Sequence, residues 1–200
     1  MKVGLILECT REGPDEKVCE YLVKRLQPGT EVVSVTLDNK PKLIAGCGET
    51  AAELLRSSCQ RVIIVWDLYP PWRPLGEKPC RLEERQAIFR SLQKAGVTSK
   101  VYLVCIREEL EAWLLADRRA IAAAITKLTG HEPTLSDIKN PESVKNPKLR
   151  LDKIFRQHTH RAYQAHSHAF KIVQELPDFR KIKRCPTFKR FALRATDIEL

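Results

Sequence analysis

The sequence predicts an α/β fold: a mainly parallel four-stranded sheet flanked by helices, with a helical extension at the C-terminal end. Three observations predict it. Residues 62–66, Val-Ile-Ile-Val-Trp, form an unbroken apolar run, β-branched except for Trp66, as in a strand covered on both faces. Up to Ile106, strand-like and helix-like stretches alternate, which calls for parallel strands joined by right-handed crossovers. Beyond residue 117 the strand pattern stops and only helical periodicity remains.

Taken in order, Lys2 to Cys9 reads as the first strand, with Val3, Leu5, Ile6 and Leu7 apolar and Glu8 at its end. A turn follows, and Pro14 with Asp15 and Glu16 suits the first turn of a helix that Pro28-Gly29 stops. Glu31 to Leu37 alternates as a second strand. Asp38 to Gly48 reads as a polar loop and Thr50 to Cys59 as a helix. The run from Arg61 is the central strand; it ends at Asp67, because Pro70-Pro71 forbid continuation. Pro70 to Arg81 reads as a Pro-rich loop carrying Trp72, Arg73 and Lys78. Leu82 to Ala95 is an amphipathic helix closed by Gly96, and Lys100 to Ile106 a fourth strand.

The second half reads as helices at Arg107 to Leu115, Asp117 to Leu128, Leu149 to His158, His168 to Leu176, and from Cys185-Pro186 onward. Residues 130–147 form a polar loop. The expected organisation is a core over residues 1–117 and a basic helical extension over 118–200, packed together as one unit.

Lysine and arginine number 35 against 25 acidic residues, a net charge of +10, which suggests a polyanionic partner such as nucleic acid or a nucleotide. Seven widely spaced cysteines without a C-x-x-C support neither a disulfide framework nor a zinc knuckle. The short apolar start does not read as a signal peptide, and no run approaches membrane-spanning length. A reducing cytoplasm is the expected compartment.

In a parallel sheet the strand ends share one edge. Glu8, Asp67 and the acids Glu108, Glu109 and Glu111 are therefore expected together. Converging carboxylates raise each other's pKa unless a cation neutralises them. Mg²⁺ or Mn²⁺ needs only one or two protein carboxylates plus water and phosphate oxygens. For Glu108 and Glu109 helix capping is the favoured role; Asp117 is expected to cap the next helix and Trp113 to anchor the core.

Basic residues are frequent from Lys139 to Arg194. Lys145, Lys148, Arg184, Lys189 and Arg190 there, with Arg11 in the first turn, are the candidate phosphate contacts. Phe155, Tyr163, Phe179 and Phe188 are interleaved with them and suit base stacking. Arg184 and Lys189 flank Pro186 at a helix start, where free N–H groups suit a phosphate. His158, His160, His166 and His168 lack the i, i+4 spacing of paired ligands, and Gly46-Cys47-Gly48 resembles a scrap of dinucleotide fingerprint but has no clear strand before it.

A Glu ending one strand and an Asp ending a later one is similar to the Toprim pattern. Val3-Gly4-Leu5-Ile6-Leu7-Glu8, Val65-Trp66-Asp67, Arg107 to Asp117, Lys145-Asn146-Pro147-Lys148 and Arg184 to Phe191 together resemble a bacterial family, domain of unknown function 4276, with a Toprim-like N-terminal half. The resemblance implies a Mg²⁺-dependent nuclease or phosphoryl-transfer protein acting on nucleic acid. Glu8, Asp67 and Glu111 would be its metal-binding and catalytic residues. It also implies an ATPase partner in defence against phage or plasmid DNA. Tyr69 stands where the second Asp of the Toprim Asp-x-Asp is expected, and Cys9-Thr10 where a glycine usually follows the Glu; Glu111 or Asp117 would have to substitute. The alternative is a non-catalytic nucleic-acid- or nucleotide-binding module that has lost its second metal ligand.

Overall fold

The computed structural model describes residues 1–69 and 79–200. The expected Pro-rich loop, with Trp72, Arg73 and Lys78, falls mostly outside them. Four strands, β1 (Lys2–Leu7), β2 (Glu31–Thr36), β3 (Arg61–Asp67) and β4 (Val101–Ile106), form an all-parallel sheet in the order β2-β1-β3-β4. Between them run α1 (Pro14–Leu26), α2 (Lys40–Arg56) and α3 (Arg81–Lys94). After β4 come α4 (Glu111–Leu114), α5 (Arg118–Thr129), α6 (Pro147–Thr159), α7 (Ala165–Gln174) and α8 (Pro186–Thr196).

Alternation along each strand divides the core in two. Val3, Leu5, Leu7, Ile63, Val65, Val104 and Ile106 face one way and pack with α1 and the helices that follow β4. Ile6, Val62, Ile64, Trp66 and Cys105 face the other way and pack with α2 and α3. The C-terminal helices are thus an outer layer of the sheet and share its core.

The sequence reading errs at α2. The helix begins at Lys40, about ten residues before the expected start, and contains Gly46-Cys47-Gly48. Its signals were present: Asn39 caps it by accepting from the Lys42 N–H at 3.0 Å, and Pro41 sits in the first turn. The two glycines masked the pattern. Gly48 is required by packing, since a Cβ there would lie 2.2 Å from the Ser91 carbonyl oxygen of α3.

Candidate carboxylate site at the carboxyl edge of the sheet

The chain leaves β1 toward β2 through α1 on one face. It leaves β3 toward β4 through α3 on the opposite face. Because β1 and β3 are neighbours, their connections diverge and open a crevice at their carboxyl ends, the place where parallel α/β sheets bind ligands. Glu8 follows β1 and Asp67 ends β3, so both stand at its lips.

Two further acids join them. The turn after Glu8 is tight: the Gly13 N–H donates to the Thr10 carbonyl at 2.9 Å, and a Cβ on Gly13 would meet that oxygen at 2.7 Å. This turn sets Asp15, in the first turn of α1, over the crevice. Glu111 arrives from α4, almost wholly buried, and its Oε1 accepts from the Tyr163 hydroxyl at 3.3 Å.

The four carboxyls feel one another. Loss of water pushes Asp67 well above the ordinary aspartate range, helped by the charges of Asp15, Glu111 and Glu8 and opposed by the Leu110 N–H, which Asp67 accepts at 3.3 Å. Burial raises Glu8 to about 8; Lys40 opposes this, while Glu84 and Asp15 add to it. Burial likewise raises Glu111 to about 7 and Asp15 to about 6, with Lys148 pulling both down. One oxygen of Glu8, Oε2, is buried without a hydrogen-bond partner. Among the described residues, no group of three His, Cys, Asp or Glu side chains is placed to share a metal ion.

Behind the site lies a buried polar brace. Lys40 Nζ donates to the Leu68 carbonyl at 3.1 Å and lies 3.5 Å from Glu84 Oε1. Glu84 Oε2 accepts from Trp66 Nε1 at 2.8 Å. The brace grips the chain on either side of Asp67.

The structure sorts the remaining candidates. Glu109 caps: it accepts the Lys148 N–H at the start of α6, at 3.3 Å. Lys148, exposed, stands by the carboxylates, and Lys145 lies by Glu108, whose pKa burial raises and Lys145 helps lower. Arg11 is exposed in the turn beside Glu8. Asp117 is fully buried and spent as the α5 cap, bound by the Arg119 N–H at 3.0 Å and by its guanidinium; it does not stand in for a second metal ligand.

The expected phosphate site at Pro186 is filled from within. The Thr187 N–H donates to buried Glu142 at 2.9 Å, the Thr187 hydroxyl binds the same carboxylate, and Trp113 Nε1 donates to that hydroxyl at 2.8 Å. Arg184 donates to the carbonyls of Ala116 and Lys181. Lys189 is exposed on α8, and Arg190 lies beside the first half of β4, whose opposite end meets the carboxylate edge. Phe155 and Phe188 are fully buried and Tyr163 nearly so, which removes them as stacking platforms for bases. His168 packs against Phe155 at 4.6 Å between ring centroids, and its Nδ1 accepts the Gln164 N–H.

Sequence reasoning missed Asp15, Tyr163 and Lys40. Asp15 carried a signal, since it directly follows a strand-end turn; its role as a first-turn acid hid it. Nothing local marks Tyr163, which meets Glu111 across 52 residues.

Fold and site together define a parallel α/β protein with a carboxylate cluster at its topological switch crevice. The profile of the family called domain of unknown function, DUF4276, matches residues 16–194, and the chain belongs to that family. No curated protein and no solved structure matches it. No helix among the described residues is long and apolar enough to cross a membrane.

Proposed function

We propose that the crevice is a metal-dependent phosphodiester site of Toprim-like character, acting on nucleic acid with Mg²⁺ or Mn²⁺. The observation that carries this reading is the cluster of Glu8, Asp67, Asp15 and Glu111, in which burial and neighbouring charges raise the pKa of every carboxyl. Such a cluster is electrostatically incomplete, and the unpartnered Glu8 Oε2 points to a missing cation or donor. Glu8 and Asp67 would hold the ion, since a hard divalent cation needs few protein carboxylates. Once bound, it would activate water and stabilise charge on the transferring phosphoryl group. Glu111, raised to about 7 and oriented by Tyr163, is suited to take a proton near neutral pH. Lys148, Lys145 and Arg11 would hold phosphates at the rim. By family resemblance, the setting would be cytoplasmic defence against phage or plasmid DNA beside an ATPase.

A second reading has an observation of its own. No three potential ligands are placed to share an ion among the described residues, which favours a non-catalytic module that binds polyanions by its basic surface. Thermal unfolding separates the two. At saturating Mg²⁺ or Mn²⁺ the parent should gain about 2.7 kcal/mol at a hundredfold excess over Kd, or several degrees in Tm. Glu8→Gln/Asp67→Asn should lose that gain, and with it the cleavage of labelled DNA or RNA, while still binding polyanions. A parent indifferent to metal, yet still binding polyanions, establishes the second reading.

A further inference from the structure

Among the described residues β4 ends the sheet, and no strand pairs with its outer edge. The carbonyls of Lys100 and Ile106 accept from Val62 and Leu68 at 2.9 Å, so even-numbered residues turn their backbone groups toward β3. By alternation, the N–H and C=O of Val101 and Leu103 turn outward. Both residues are partly exposed and line a groove of about 360 Å³ with Tyr102 as a neighbour.

The groove has two basic walls. α3 supplies Arg85 and exposed Phe89; α8 supplies Arg190 and Arg194, the latter lying over the Tyr102 ring at 4.9 Å. Among the described residues no acid lines it. Next to it a second hollow, of about 550 Å³, shares Arg85 and Phe89 and adds Leu82, which is 63% exposed.

We propose that this edge docks an extended acidic segment of a partner protein, which adds to the sheet as a fifth strand beside β4. Three features fit that occupant together. Outward N–H and C=O groups require a partner that both donates and accepts, which a peptide backbone does. The arginines of both walls match acidic side chains, and Phe89 and Leu82 on the α3 wall match apolar ones. A phosphodiester strand would answer the arginines but leave the outward carbonyls without donors. A second copy of this chain pairing edge to edge would bring Arg85, Arg190 and Arg194 against their own kind, at a cost in repulsion. The inference does not rest on the crevice being catalytic.

Fluorescence polarisation of the whole chain tests it with three labelled probes. These are a decapeptide alternating glutamate with valine and threonine, the same peptide N-methylated throughout, and single-stranded oligothymidylate. The plain peptide should bind, and methylation should weaken it by about tenfold or more, because main-chain bonds supply the affinity. Arg85→Glu/Arg190→Glu, both exposed, should weaken it by a further, salt-dependent factor of about ten. Leu103→Pro removes an outward N–H and no ladder bond to β3, and should also weaken it; because Leu103 also packs against the core, the methylated probe decides if that variant fails to fold. No binding of the plain peptide, equal binding of both peptides, or preference for oligothymidylate overturns the proposal, the last two leaving only a patch for polyanions.

Discussion

Asp67 and Glu8 hold protons that an unfolded chain would have released. The sign of the pH effect follows. A carboxyl whose pKa is higher in the folded state contributes fully below its unfolded value and loses that contribution as pH rises through the folded one. The unfolded values lie near about 4, and the folded ones rise to about 6 for Asp15, about 7 for Glu111 and about 8 for Glu8. In a chelator, Tm should therefore fall steadily from pH 5 to pH 8, measured by calorimetry. Glu8→Gln should flatten that slope and raise Tm at pH 8 while leaving pH 5 nearly unchanged. A flat parent profile would mean that the carboxyls are not crowded. Lys40 is the opposite case, a buried cation that lies against Glu84 while Trp66 holds the other oxygen of that carboxylate. Lys40→Met should lower stability, read from urea unfolding, because it removes a buried ion-pair partner of Glu84 and the bond to the Leu68 carbonyl.

Among the elements, α2 shows how packing overrules propensity. Glycine inside a helix costs about 1 kcal/mol against alanine, which is why residues 40–48 read as a loop. Gly48 is kept by the approach of α3, where its N–H also donates to Ser91 Oγ at 3.2 Å. Gly46 has room: a Cβ there would meet Leu37 at an ordinary 3.7 Å. The two should respond with opposite signs. Gly46→Ala should raise stability by about 0.5–1 kcal/mol, whereas Gly48→Ala should lower it by about 1–3 kcal/mol as the helices are forced apart. Chemical denaturation of both variants checks this.

At the scale of the whole molecule, the helices after residue 117 are half of the enclosure. Phe155, Phe188, Phe191, Ile172 and Ala192 are fully buried in the same core as Leu5, Ile63 and Val104. Trp113 meets Phe188 at 5.5 Å between ring centroids, edge to face. A chain cut after residue 117 would expose that face of the sheet, and it would also lose Tyr163 and Lys148 from the site. It should therefore fail to unfold cooperatively and should bind a hydrophobic dye, whereas the whole chain melts in one transition.

What the sequence alone determined was periodic or local. The apolar run of β3, the alternation of strands and helices, the stop at Asp67 and the Asp117 cap all follow from neighbours within a few residues. Parallel strands then put Glu8 and Asp67 on one edge by geometry alone. What only the tertiary structure decided depended on contacts between distant segments. Asp15 and Tyr163 joined the carboxylates, Glu142 took the place of a phosphate at α8, and Arg190 went to the edge of β4. Side-chain partners of that kind are set by how whole layers pack, and no spacing along the chain encodes them.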